Sequence, residues 1–503
     1  MAQSLMIQGT GSSVGKSILV TALCRILRQD GWSVAPFKSQ NMALNSFVTR
    51  DGREMGRAQV VQAEAAGIEP AVEMNPILIK PEADAQAQVV VLGKPAMTLS
   101  AGEYYRHTLE LLAIAEESLS KLRSQYDIVL IEGAGSPAEV NLKKHEIVNM
   151  RIAKLAQAPV LLVGDIDKGG VFASLVGTLA LLEDDEREMI KAFVINKFRG
   201  EIALLQPGLD FLEGYTNRPV LGVIPYYHGI VIAQEDSVYQ GQGSNEGSLQ
   251  SLDIAVIHLP RISNSTDFEV LQQEAGVRLR YVPLYGDLGE PDLIVLPGSK
   301  STIADLALLR ERGLDRAITQ RARAGTPVIG ICGGYQMLGR ELKDPKRIES
   351  QVESTAGLGL LDTITVFEEE KATCQVQAAV SADKGLLSGC SGLEVTGYEI
   401  HMGRTTGNTS SAFRVVQRPD GPADYPDGAV NEDGSVFGTY LHGLFDNAAF
   451  RYALLGNLRQ RKGMQPAARA SIPSKEEHYN ALAEHVRRNL KMDLFYQICG
   501  LER

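Results

Sequence analysis

The chain has 503 residues, 44% of them hydrophobic and 22% charged, with a formal net charge of −11. That length predicts roughly two to four domains of ordinary soluble composition rather than one core. The acidic balance argues against general nucleic-acid binding, and no apolar run approaches the roughly 20 residues of a bilayer span.

The opening MAQSLMIQGTG lacks a basic segment and is not expected to act as a signal peptide. Five cysteines, Cys24, Cys332, Cys374, Cys390 and Cys499, are scattered without a CxxC pair. That spacing argues against a zinc site or a disulfide framework and for a reducing cytoplasm.

Along residues 1–238, apolar runs at 5–8, 33–37, 128–132, 160–163, 192–196 and 220–224 alternate with helical stretches. Alternation of this kind predicts a mostly parallel, doubly wound α/β sheet. Residues 239–251, including QGQGSNEGSLQS, are polar and Gly/Ser-rich and read as a linker. A second α/β domain is expected over 252–450, with strands at 253–258, 293–296, 327–331 and 436–439. Residues 451–503 read as a charged helical C-terminal extension.

The first strand leads into GTGSSVGKS at 9–17. A glycine-rich loop between a strand and a helix cradles phosphates with its backbone N–H groups. Thr10, Gly11, Ser12, Ser13, Val14, Gly15, Lys16 and Ser17 are therefore the nucleotide-binding candidates. Lys16 would reach the terminal phosphates and Ser17 would ligate Mg²⁺. Thr10 stands where the usual pattern has its first glycine. Glu132, in IEGAGS, and Asp165, in GDIDKGG, end strands and are candidates to hold Mg²⁺ or its waters; Asp167 is a weaker one.

The segment APFKSQNMALNS at 35–46 also follows a strand end and is dense in amides. Lys38, Gln40, Asn41 and Asn45 are its substrate-facing candidates. Lys80, Arg53, Arg57, Lys143, Lys144, Lys168 and Arg199 lie in similar positions and together would supply the basic patch that an anionic substrate needs. Asn196 and Lys197 end another strand and are candidates to contact a base.

In the second domain, GICGGYQMLG at 330–339 follows an apolar run and precedes a helical pattern. A cysteine flanked by glycines at such a turn is the thiol version of the nucleophile elbow. The helix N-terminus favours the thiolate of Cys332. His442, in GTYLHGLF, is the best base, and His401, in GYEIHMGRT, is its rival. Backbone N–H groups of Gly333 and of Gly298, in LPGS, are the oxyanion candidates.

These motifs resemble known families. GICGGYQMLG, LPGSK, GYEIHMGRT and GTYLHGLF resemble the cobyrinate-type class I glutamine amidotransferases, which implies a flavodoxin-like domain. GTGSSVGKS with IEGAG is similar to the dethiobiotin-synthetase-like P-loop fold. The fused pair, with APFKSQNMALNS, EGAGSPAEVNL, DIDKGGVFASLVGT, VINKFRG and LPRISNSTDFE, closely resembles the cobyric acid synthase family.

That resemblance implies a carbon–nitrogen ligase using ATP, Mg²⁺ and glutamine, with Cys332 as nucleophile and His442 as catalytic histidine. It further implies amidation of the b, d, e and g carboxylates of adenosylcobyrinic acid a,c-diamide in cobalamin biosynthesis. The expected partners are these small molecules, with neither nucleic acid nor membrane, in the cytoplasm; a homo-oligomer stays open. Cobyrinic acid a,c-diamide synthase is the nearer alternative. A partitioning-type P-loop ATPase with a regulatory thiol domain is the more remote one, and Gly11 counts against it. Wider class I amidotransferases carry a Glu two residues after the catalytic His, where this chain has Leu444. Glu399 and Asp446 are substitutes for that orienting group, and neither is assigned.

Overall fold

The computed structural model describes residues 2–83, 86–227, 251–465 and 472–502. They form two compact units. The first comprises Met1–Ala43, Glu54–Ser237 and Pro473–Arg503, and the second Leu44–Arg53 and Val238–Ile472. The expected linker 239–251 lies outside the described residues, apart from Ser251.

Among the described residues of the first unit, six parallel strands form a sheet. Their order is Val220–Pro225, Ile190–Phe198, Val160–Asp165, Gln3–Gly9, Ile128–Glu132 and Val34–Phe37. Each lies over a strand expected from the sequence. The central ones are apolar on both faces, as in Leu5–Ile7 and Ile128–Ile131, because helices cover a doubly wound sheet on both sides. The first strand, Gln3–Gly9, runs straight into the glycine loop and the helix Lys16–Gln29.

A smaller sheet of Gln40–Met42, Ile77–Ala83, Gln86–Val91 and Lys94–Ser100 has no counterpart in the sequence reading. Its outer strand is largely exposed and lacks the apolar run that marks a core strand.

The second unit repeats the parallel theme in the order Val277–Pro283, Leu252–His258, Leu293–Leu296, Val328–Ile331 and Val436–Thr439, closed by antiparallel Ala429–Val430. It adds a mixed sheet built on the long strands Thr363–Val380 and Glu394–Gly407, which sequence alternation also missed. No helix among the described residues is long and apolar enough to cross a membrane.

The expected extension 451–503 divides in two. Helix Ala448–Arg461 buries Phe450, Leu454, Leu455 and Leu458 in the core of the second unit. Helices Lys475–Arg488 and Met492–Cys499 instead belong to the first unit. There Tyr479, Leu482, Val486 and Phe495 share a core with Leu19, Leu23 and Ile26 of the phosphate-loop helix. Arg25 to Glu476 (2.5 Å) and Arg487 to Asp30 (2.9 Å) line the edge of this contact. The expected first domain likewise gives up Leu44–Arg53 to the second unit.

The chain end therefore supports the helix that carries Lys16. Phe495→Ala, at a fully buried position, is expected to destabilise the first unit by about 3–5 kcal/mol. Denaturant unfolding followed by circular dichroism checks this.

Candidate active sites

The phosphate loop is held from outside its own sequence. Asn196 Nδ2 donates to Val14 O (2.8 Å) and Lys197 Nζ to Ser13 O (2.7 Å). Gly15 has φ +99°, and a Cβ there would sit 2.1 Å from Asn196 Nδ2. Glycine is thus required both for the turn and for the close approach. Asn196 and Lys197, candidates to contact a base, also brace the loop backbone. Lys197 Nζ also pairs with Asp165 Oδ2 (2.8 Å).

Lys16 Nζ donates to Gly11 O (2.9 Å) and Gly135 O (3.2 Å). Its ammonium therefore lies over the loop, on the side of the strand end that carries Glu132. Ser17 Oγ donates to Glu132 Oε1 (2.8 Å), as does Lys38 Nζ (3.1 Å). Gln62 Nε2 donates to Glu132 Oε2 (2.5 Å). Burial pushes the Glu132 carboxyl up. Lys38, Ser17 and Gln62 outweigh that and hold it below the usual carboxylate range.

The other substrate candidates have partners within the fold. Tyr104 donates to Gln40, and Asn41 Nδ2 donates to Gln59 Oε1 (3.0 Å). Asn45 lies in the second unit. The expected basic patch is largely neutralised within the fold. Lys80 pairs with Glu54 (2.6 Å), Lys143 with Glu186 (2.7 Å), Arg199 with Asp167 (2.9 Å) and Arg53 with Asp51. Sequence positions alone did not show those pairings.

In the second unit, Cys332 sits between strand Val328–Ile331 and helix Gly333–Leu338 with φ +52° and ψ −110°. A non-glycine residue held there stores strain, as nucleophile elbows do. Cys332 N donates to Thr439 O (2.8 Å), and its thiol lies 3.7 Å from Ile400 O. A Cβ on Gly334 would lie 2.0 Å from Leu296 O, so the turn packs directly on the neighbouring strand. A Cβ on Gly333 would lie 2.9 Å from Ser299 N, and one on Gly298 would lie 3.3 Å from His442 Cε1. The two predicted oxyanion turns thus border the thiol and the imidazole.

His442, the candidate base, pairs with Asp267. His442 Nδ1 is 2.7 Å from Asp267 Oδ2, and Gly443 N donates to Asp267 Oδ1 (3.0 Å). Both side chains are almost fully buried. Burial pulls the imidazolium down. The Asp267 carboxylate and then the Cys332 sulfur outweigh it and push His442 up to about 10. Among the described residues Nε2 is buried with no nitrogen or oxygen partner, and the Cys332 sulfur is the group that acts on the ring besides Asp267.

The rival His401 packs on Tyr440, with ring centroids 3.6 Å apart, and contacts Gly403 O (3.1 Å). Burial pushes it down to about 4 and keeps it neutral. Glu399 accepts from Tyr425 (2.8 Å) instead of holding the base. Sequence reasoning missed Asp267, which stands 175 positions before His442. Its only signal was its place inside LPRISNSTDFE.

Two domain families match the chain. The CobQ/CobB/MinD/ParA nucleotide-binding domain matches residues 5–238, and the CobB/CobQ-like glutamine amidotransferase domain matches 253–450. A cobyric acid synthase of Dehalococcoides mccartyi (strain CBDB1) is 56% identical over 499 residues, 99% of each chain. Those of Desulforamulus reducens and Moorella thermoacetica are 52% and 51% identical and cover all of this chain, and 99% and 98% of their own. The chain belongs to the cobyric acid synthase family. As a member of that family it is a glutamine-dependent amide ligase with an ATP-binding domain.

The raised His442 sets a sign. Its protonated ring stabilises the folded chain fully below its usual 6.5, and that contribution is lost as pH rises through about 10. In Asp267→Asn the ring is expected to titrate well below the wild-type midpoint, as followed by NMR. Glutamine hydrolysis should fall roughly 10²–10⁴-fold in kcat.

Proposed function

We propose that the chain converts adenosylcobyrinic acid a,c-diamide to adenosylcobyric acid by ATP-dependent, glutamine-hydrolysing amidation of the b, d, e and g carboxylates, in cobalamin biosynthesis. The full-length likeness to cobyric acid synthases supports this substrate over unamidated cobyrinate. The observation that carries the chemistry is the buried His442–Asp267 pair beside an elbow-borne cysteine.

In the second unit, Cys332 Sγ attacks the carbonyl carbon of the glutamine side-chain amide. N–H groups of Gly333 and of the Gly298 turn stabilise the oxyanion. The C–N bond breaks, and the nitrogen leaves as ammonia with a proton from the His442 imidazolium. Water, deprotonated by the now neutral His442, hydrolyses the thioester to glutamate and frees the thiolate. Asp267 holds the ring so that Nε2 serves both transfers.

In the first unit, residues 10–17 hold the phosphates of ATP, and Lys16 turns from its carbonyl partners to the terminal phosphates. A carboxylate is a poor electrophile. Taking the γ-phosphoryl group makes it an acyl phosphate with a good leaving group. Ammonia then displaces phosphate to give the amide.

Ser17 Oγ and the ionised Glu132 offer adjacent hard oxygens suited to Mg²⁺. They would hold it, and Mg²⁺ would offset charge on the phosphates. Asp165, paired with Lys197, fits a supporting role at the loop. Among the described residues no three His, Cys, Asp or Glu side chains cluster as a metal cage. Mg²⁺ beside nucleotides commonly completes its shell with phosphate oxygens and water.

Cys332→Ala is expected to abolish amide synthesis from glutamine and to retain synthesis from ammonium salts. Lys16→Ala should abolish both. Product analysis on the a,c-diamide with each nitrogen source checks this, and glutamine use surviving in Cys332→Ala would refute the elbow assignment.

A further inference from the structure

Residues Leu44–Arg53 come from the first fifty-odd residues of the sequence yet fold as part of the second unit. Their contacts there are specific and reciprocal. Asn45 Oδ1 accepts from Ser265 N (3.0 Å) and Ser265 Oγ (3.3 Å). Asn264 Oδ1 accepts from Ser46 N (2.9 Å). Two asparagines thus each accept from the other segment's backbone. Asn264 has φ +54°, a left-handed conformation that asparagine tolerates better than most residues.

This clamp lies directly on the catalytic dyad. Asp267 N donates to Asn264 O (3.0 Å), closing the short turn Ser265–Phe268 that presents Asp267 to His442. On the other side, Tyr398 OH donates to Ser46 O (3.3 Å). The Tyr398 ring stacks on His442, with centroids 5.3 Å apart and planes at 19°. Tyr398 and His442 also exchange two backbone hydrogen bonds of 3.2 and 2.9 Å. Phe47 packs edge-on against the same tyrosine at 5.3 Å. Both backbone groups of Ser46 are therefore held by residues that touch, or sit three positions from, the acid–base pair.

We propose that Asn264, Ser46 and Tyr398 are positioning residues for glutamine hydrolysis, and that the 44–48 segment acts as a splint fixing Asp267 and His442 against Cys332. The inference rests on the glutaminase reading of those three residues. Among the described residues the Cys332 thiol bonds to Ile400 O and to none of the clamp residues. The clamp's effect is geometric, and misplacing a base by about 1 Å costs roughly 100-fold in rate. The splint also gives Asn45, a substrate-facing candidate in the sequence, a partner in the second unit, Ser265.

The test uses the full chain and three readouts: glutamate release, amide synthesis from glutamine and amide synthesis from ammonium salt. Asn264→Gly keeps the left-handed turn available and deletes the acceptor for Ser46. It is expected to lower kcat for glutamate release roughly 10- to 100-fold with KM for glutamine little changed and ammonium-dependent synthesis retained. Asn264→Asp, which keeps an acceptor oxygen, should restore most of the loss.

Wild-type kcat in Asn264→Gly, or no recovery in Asn264→Asp, would overturn the proposal. If Asn264→Gly loses the ammonium reaction as well, Tyr398→Phe decides, since it removes one hydroxyl and keeps the stacked ring. A kcat loss confined to glutamine then supports the splint, and an unchanged kcat overturns it. Cys332→Ala run alongside separates the two levels: glutamine use surviving there refutes the glutaminase reading itself.

Discussion

His442 and Asp267 face each other at 2.7 Å with almost no solvent contact. A charged histidine in such a place is costly unless a carboxylate pairs with it, and breaking a buried pair by removing one partner costs about 3–5 kcal/mol. The surrounding structure is arranged to keep this pair together. The turn at Asn264–Phe268 presents the carboxylate, strand Val436–Thr439 delivers the histidine, and Tyr398 covers the ring. The strained Cys332 turn is tied to the strand that delivers His442. Its amide is pinned to Thr439 O, three residues from His442.

The phosphate-loop unit follows the same physical logic with different residues. Glu132, at the end of a central strand, gathers Ser17, Lys38 and Gln62 around one buried negative charge. That hub ties the loop helix to the segment carrying Lys38. Asn196 and Lys197 brace the loop from the neighbouring strand. The C-terminal helices support the loop helix from its outer face. A preorganised cradle of this kind spends little ordering when it meets a polyphosphate.

Much of this was legible in the linear chain. The parallel strands announced themselves as short, fully apolar runs, because central strands are buried on both faces. Cys332 was legible because glycines at Gly330, Gly333 and Gly334 bracket it between a strand and a helix. His442 was legible because it follows a buried strand and precedes a glycine. The two extra sheets were not, since their half-exposed strands mix polar and apolar residues without a strong period. The fate of Lys80 was also hidden: its partner Glu54 is 26 positions away, and nothing local marks the pairing.

The sequence by itself determined the two α/β folds and the phosphate loop, and it picked out the candidate nucleophile and its candidate base, because each depends on residues adjacent along the chain. Tertiary structure alone decided the pairing of Asp267 with His442, the division of the C-terminal helices, and the transfer of Leu44–Arg53 to the second unit. Those depend on which distant groups meet once the core closes. Asp267 reaches His442 across 175 positions, and a hydrogen bond records distance in space and not separation along the chain.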